Sequence, residues 1–102
     1  MTAVREFVLP ADHPVLPGHF PAHPVVPGVI LLSWCELVAA ELAGVPITVE
    51  RWRNVKFIEP LDPGQVCTVI VISEAPGSAN FRVERDGRAI AGGRLEWRAA
   101  AA

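Results

Sequence analysis

The amino-acid sequence predicts an α+β fold in which a curved antiparallel sheet wraps around one long central helix. Two observations lead to this prediction. A single long apolar segment has helical character, and the runs after it alternate between apolar and polar residues and are separated by turns. With 102 residues, the chain is predicted to form one domain over residues 1–102. A domain of this size buries only a modest core, so pairing with a second copy is expected to add stability.

The chain begins with a predicted short strand and continues into an unusually long loop. Residues 4–9 form the strand, which Pro10 ends. Six prolines lie from Pro10 to Gly28, and they exclude both a helix and an interior strand. Because valine, leucine and phenylalanine residues are interleaved with these prolines, we expect an ordered and packed loop. Loops of this length in small domains are usually functional or disordered.

Residues 28–43 are predicted to form the long helix. Pro27 favours its start, and Gly44 favours its end. The segment is apolar on nearly every side, and its polar interruptions are Ser33, Glu36 and Glu41. A helix without a polar face is expected to be surrounded on most sides.

The second half of the chain is predicted to consist of strands. Alternating or densely β-branched runs cover residues 47–58, 65–73, 81–85 and 88–98. Proline and glycine residues mark turns at residues 59–64 and 76–77, and Asp86-Gly87 is typical of a tight hairpin. Four consecutive strands joined by short turns favour an antiparallel sheet.

Composition excludes several classes of partner. The net charge is −2 and Lys56 is the only lysine, so no basic stripe is present and nucleic acid is not an expected partner. No apolar run reaches the roughly 18 residues that a membrane span needs.

The start of the chain lacks the pattern of a secretory signal, and we therefore expect a cytoplasmic protein. Cys35 and Cys67 are expected to be reduced and partly buried, and the histidines and cysteines lack metal-ligand spacing.

The proline-rich stretch from His13 to Val29 contains the elements of an acid–base site. Proline fixes the backbone, and a stiff loop lowers the entropy cost of holding a side chain in place. The loop leads into a helix start, where unpaired N–H groups carry partial positive charge. A histidine there can remove a proton beside a carbonyl, while the N–H of Gly28 or Val29 holds the developing enolate oxygen. The alternative interpretation is a rigid turn with surface histidines.

The same stretch resembles a known family. Residues 18–29 read Gly-His-Phe-Pro-x-x-Pro-Val-x-Pro-Gly-Val. This motif, followed by an apolar helix, is similar to the signature of the 3-hydroxyacyl-[acyl-carrier-protein] dehydratases of bacterial fatty acid synthesis, which have the hotdog fold. Residues 55–64 resemble the next strand and turn of that family. In its short length the chain looks more like the compact dehydratase-like proteins of aryl polyene-type pathways.

The resemblance implies roles for individual residues. His19 matches the catalytic base, and Gly28 matches the residue whose backbone amide binds the thioester carbonyl. The family's acid on the central helix, which the other subunit of a dimer contributes, falls at Ser33, which is not an acid. Three interpretations remain open: Ser33 holds a water, Glu36 supplies the acid, or the chain is a catalytically impaired subunit that needs a partner. Plausible walls of an acyl tunnel are Phe20, Val29 and Leu32.

The expected function is dehydration of a (3R)-hydroxyacyl thioester on acyl carrier protein to the trans-2-enoyl thioester, in fatty acid or related polyene lipid biosynthesis. The resemblance implies no metal or redox cofactor. It implies a homodimer or higher homo-oligomer, or a heterodimer with a second hotdog subunit. The alternatives are an acyl-thioester-binding subunit of a heteromeric dehydratase and, less favoured, a hotdog thioesterase.

Overall fold

The computed structural model describes residues 1–16 and 24–101 of the chain. These residues form one helix and five strands, so the predicted α+β plan is confirmed. In chain order the elements are β1 (Thr2–Val8), α1 (Gly28–Ala43), β2 (Ile47–Phe57), β3 (Val66–Ala75), β4 (Ser78–Arg85) and β5 (Arg88–Ala99). The helix begins and ends at the predicted residues, whereas β4 begins three residues earlier than the pattern indicated.

The strands form a single antiparallel sheet with the order β1-β3-β4-β5-β2. The predicted hairpin between β4 and β5 is present, because Asp86 and Gly87 both adopt the positive φ that a tight turn requires. In β2 the register shifts around Asn54, which also has a positive φ. Such an irregularity bends a strand and increases its twist. The sheet can therefore curve toward the helix at this edge.

The core lies between α1 and the inner face of the sheet. From the helix it takes one stripe: Leu31, Cys35, Val38 and Ala39. From β3 and β4 it takes every second residue, as expected for strands with one buried face: Cys67, Val69, Val71, Ala79, Phe81 and Val83. Two aromatic pairs border this core. Trp34 stacks on Phe7 of β1 with ring centroids 5.1 Å apart, and Trp52 of β2 meets Phe81 edge to face at 5.7 Å.

The helix is less enclosed than its sequence suggested. Val29 is 72% exposed and Leu37 is 57% exposed, although both are apolar. The reason is geometric, because the sheet covers one side of the helix and the described residues leave the opposite side open. An apolar helix face of this kind is a candidate contact for another subunit. Among the described residues, no helix has the length and hydropathy needed to cross a membrane.

Gly93 is expected to be far more sensitive to substitution than its neighbour Gly92. A Cβ at Gly93 would lie 2.9 Å from the ring of Phe81 and 3.0 Å from the backbone of Val55, whereas a Cβ at Gly92 would meet nothing closer than 3.4 Å. Phe81 is buried and cannot move aside. We expect Gly93→Ala to lower the free energy of unfolding in urea by about 2–3 kcal/mol, and Gly92→Ala by well under that amount. Equal losses would contradict this packing.

The two cysteines are expected to be inert in the folded protein. Burial raises the pKa of the Cys35 thiol from 9.0 to about 12, and electrostatic repulsion from Cys67 adds to the effect. Burial also raises the pKa of Cys67, to about 11. Only the thiolate reacts, so a mildly alkaline solution of a thiol reagent should label neither cysteine in the native protein and both after denaturation. Rapid labelling of the native protein would refute this burial.

Candidate active site

The start of α1 has backbone N–H groups that the helix itself does not use. Pro27 caps the helix, and its carbonyl oxygen accepts the N–H groups of Ile30 at 2.9 Å and Leu31 at 3.4 Å. Among the described residues, the N–H groups of Gly28 and Val29 have no hydrogen-bond acceptor. The first turn of this helix also carries no acidic side chain. A partly negative oxygen is therefore favoured at this position by two donors and by the helix dipole.

Gly28 lies at one side of an apolar cavity of about 340 Å³. The cavity is lined by Val25, Val26, Gly28, Leu31, Phe57, Ile58, Glu59, Pro60 and Leu61. The ring of Phe57 rests directly on Gly28, because a Cβ there would lie only 2.8 Å from its Cζ atom. The absence of a side chain at Gly28 thus lets an aromatic wall approach the helix start.

The rim of this cavity is held by charged side chains from distant parts of the chain. Arg85 of β4 donates to Glu59 Oε2 at 3.1 Å and to the carbonyl oxygen of Pro60 at 2.7 Å. Arg88 of β5 donates to the other oxygen of Glu59. A second anchor lies nearby, where the N–H of Val26 donates to the carbonyl oxygen of Leu61 at 2.8 Å. These contacts fasten the segment after β2 against the helix start.

A second cleft, of about 270 Å³, lies on the exposed side of the helix beside β2. Its lining residues are Val29, Leu32, Ser33, Glu36 and Trp52. The four helical residues share one face because they are separated by three or four positions. Ser33 is exposed, and its hydroxyl donates a hydrogen bond to the carbonyl oxygen of Ile30 at 2.7 Å.

The structure brings together part of the predicted site. Val29, Leu32, Ser33 and Glu36 line the same cleft, and Gly28 lies in the neighbouring cavity. His19 and Phe20 lie outside the described residues. Their roles as base and tunnel wall therefore stay predictions.

Sequence reasoning missed two aromatic residues of the site. Trp52 is an apolar position in an alternating strand, which predicts burial and gives no hint of a cleft. Phe57 falls within the second stretch that resembles the dehydratases. Its place in that stretch was a signal that Phe57 could belong to the site. The sequence does not reveal its contact with Gly28, because the two residues are 29 positions apart.

Comparisons with known proteins agree with this architecture. Residues 1–94 match the ApeI-like family, described as ApeI dehydratase. The 3-hydroxyacyl-[acyl-carrier-protein] dehydratase FabZ of Nitrosospira multiformis is 30% identical over 105 residues, covering 89% of this chain and 70% of that relative.

Solved structures give the fold. A chain of the dehydratase heterocomplex ApeI:P from Xenorhabdus doucetiae superposes with a TM-score of 0.82 at 26% identity, covering 94% of this chain and 86% of that chain. The (R)-hydratase from A. caviae involved in PHA biosynthesis superposes with a TM-score of 0.71 at 17% identity, covering 98% of this chain and 95% of that chain. These likenesses confirm the hotdog fold.

A side chain at Gly28 is expected to conflict with the ring of Phe57, whose atoms are the three nearest to the added Cβ. Phe57 is 54% exposed, so its ring can swing away, and Gly28→Ala should cost only about 1 kcal/mol of unfolding free energy. In a Phe57→Ala background the same change should cost less, with a coupling of about 0.5–1 kcal/mol between the two positions. A double-mutant cycle measured by urea unfolding tests this contact. Strictly additive losses would show that the ring does not restrain Gly28.

Proposed function

Because the chain belongs to the ApeI-like dehydratase family, we propose that it converts a (3R)-hydroxyacyl thioester on acyl carrier protein into the trans-2-enoyl thioester. The observation that carries the proposal is the helix start, where Gly28, whose N–H has no acceptor among the described residues, lines an apolar cavity. The cavity suits an acyl or pantetheine group, and the donors suit a thioester carbonyl. The setting would be the synthesis of fatty acids or related polyene lipids.

The proposed reaction begins with removal of the α-proton. The Gly28 amide donates a hydrogen bond to the thioester oxygen, and the charge that develops there is stabilised by the helix dipole. A ring nitrogen of His19 takes the proton, as the family resemblance implies. The electron pair of the broken C–H bond then forms the Cα=Cβ double bond. The C–O bond at the β-carbon breaks, and its electron pair leaves with the hydroxyl.

The departing hydroxyl needs a proton to leave as water. The face of α1 next to Trp52 is the proposed source, since Ser33 and Glu36 both line that cleft. No metal or redox cofactor takes part in the proposed reaction. The pantetheine group enters with the substrate.

We further propose that two hotdog subunits build each site. Within one chain, Gly28 lines one cavity and Ser33 lines another. A substrate at this surface would be enclosed only when a second subunit covers the open helix face. The exposed Val29 and Leu37 would become buried in this contact. The strand β2 lies at an edge of the sheet and has backbone groups available for pairing. A homodimer satisfies these requirements, and so does a heterodimer.

A second candidate function is that of a non-catalytic subunit that binds the acyl thioester in a heteromeric dehydratase. Two observations favour it: Ser33 stands where the family carries an acid, and a similar chain belongs to a dehydratase heterocomplex. Under this proposal, the partner subunit supplies the missing proton donor.

The proposed function is tested by incubating the purified protein with a (3R)-hydroxyacyl-pantetheine thioester and following the ultraviolet absorbance of the enoyl product. We expect turnover by the wild-type protein and a loss of at least about 100-fold in His19→Ala, because general base catalysis is removed. His23→Ala is the matched control from the same loop and should retain the wild-type rate. The reverse hydration of the enoyl thioester should show the same pattern.

Other outcomes separate the alternatives. Release of free thiol would identify a thioesterase. Binding of the thioester without turnover, with activity appearing only when a second hotdog subunit is added, would identify the non-catalytic subunit. Full activity in His19→Ala would contradict the proposed base.

A further inference from the structure

We propose that Glu36 is the catalytic acid of this chain and gives its carboxyl proton to the departing β-hydroxyl. The inference rests on the proposed dehydration and assigns the residue that completes it. Its basis is the cleft on the exposed face of α1, where Glu36 is the only carboxylate among the lining residues that the structure describes.

Ser33 is not the acid of this cleft, because a serine hydroxyl does not give up its proton near neutral pH. Its hydroxyl hydrogen is directed at the carbonyl oxygen of Ile30, with a donor–acceptor distance of 2.7 Å. In this geometry the lone pairs of the Ser33 oxygen stay free to accept a hydrogen bond. Ser33 can therefore orient a hydroxyl or a water by accepting its hydrogen, but it cannot protonate the leaving oxygen.

Glu36 can reach the level of Ser33. The two Cα atoms are separated along the helix axis by about 4.5 Å, at roughly 1.5 Å per residue. Side chains in a helix lean toward its N-terminus, so a residue covers the surface over the preceding turn. This tendency brings the long side chain of Glu36 within reach of the level of Ser33, and both residues line the same cleft.

Other carboxylates near the two cavities are engaged elsewhere. Glu41, the other acid of α1, is bound to Arg5 of β1 at 2.8 Å and does not line the cleft. Glu59 lines the cavity of Gly28, but each of its oxygens accepts a hydrogen bond from a guanidinium group, of Arg85 and of Arg88. Both oxygens of Glu59 are thus already used as acceptors at the rim of that cavity.

The surroundings of Glu36 suit proton transfer. Val29, Leu32 and Trp52 form apolar walls around it, and the Trp52 ring is held in place by its edge-to-face contact with Phe81. A substrate that fills the cleft would exclude water from the carboxyl group. In a water-excluded site, a positioned acid contributes more than it would in solution.

The complete step balances in atoms and charge. The α-proton moves to His19, and the C–H electron pair forms the double bond. The C–O electron pair goes to the β-oxygen, which receives the proton of Glu36 and leaves as water. The histidine is then protonated and Glu36 is a carboxylate, and exchange of protons with the solvent restores both groups.

The experiment compares two substrates of equal chain length: a (3R)-hydroxyacyl-pantetheine thioester and its 3-chloro analogue. Chloride leaves without a proton, so its elimination needs the base but no acid. We expect Glu36→Gln to slow elimination of the hydroxyl by about 10²–10⁴-fold and to leave elimination of chloride at the wild-type rate. Glu41→Gln is the matched control on the same helix and should react with both substrates like the wild type.

A restored acid provides a second variant. Ser33→Asp introduced into Glu36→Gln places a carboxyl group in the same cleft and should recover part of the hydroxyl elimination. Equal losses with both substrates in Glu36→Gln, or no loss with either, would overturn the assignment of Glu36 while leaving the proposed dehydration intact. Failure of the wild-type protein to eliminate either group would instead refute the proposed function, and the assignment with it.

Discussion

The packing of one helical stripe against the inner face of the sheet determines the rest of the molecule. Leu31, Cys35, Val38 and Ala39 fill the core, and this sets the rotation of the helix about its axis. At 3.6 residues per turn, Val29, Ser33 and Glu36 then lie on the opposite side. The residues that form the cleft are thus selected by the residues that form the core. The same rotation places Trp34 against β1 on one side of the helix and Leu32 beside Trp52 of β2 on the other side.

The same packing links the core to the cleft. Phe81 lies over Gly93 inside the sheet and holds the edge of Trp52, which forms one wall of the cleft. On the other side of the helix start, Phe57 rests on Gly28 and is followed by a segment that Arg85 and Arg88 hold in place. The Trp52 wall is therefore supported from within the fold, whereas the half-exposed Phe57 is held only through the segment that follows it. Internal support of this kind keeps the geometry of the Trp52 cleft constant without help from a ligand.

Under the proposed dehydration, serine at the position that the resemblance gives to the family's acid requires another proton donor or a partner. Glu36 lies one turn further along the same face, where a carboxyl group can serve the same cleft. The proposed shift of the acid by one turn preserves the helical face and changes only the direction from which the proton arrives.

Much of the local structure follows from the sequence alone. Pro27 and Gly44 define the helix, since proline suits its start and Gly44 ends it with a φ of 75°. Asp86-Gly87 defines the hairpin, and residues 18–29 point to the dehydratases because their proline and glycine spacing is specific. These features depend on backbone preferences, which act over a few neighbouring residues.

Only the tertiary structure decided which helix face stays open, that Trp52 borders Glu36, and that Phe57 presses on Gly28. It also joined Glu59 to Arg85 and Arg88, which are 26 and 29 positions away in the chain. An apolar helix has no periodic signal that distinguishes one face from another, and a strand pattern does not reveal its register against distant residues. Such contacts arise from packing, in which the whole sheet must be assembled before any one side chain has a defined neighbour.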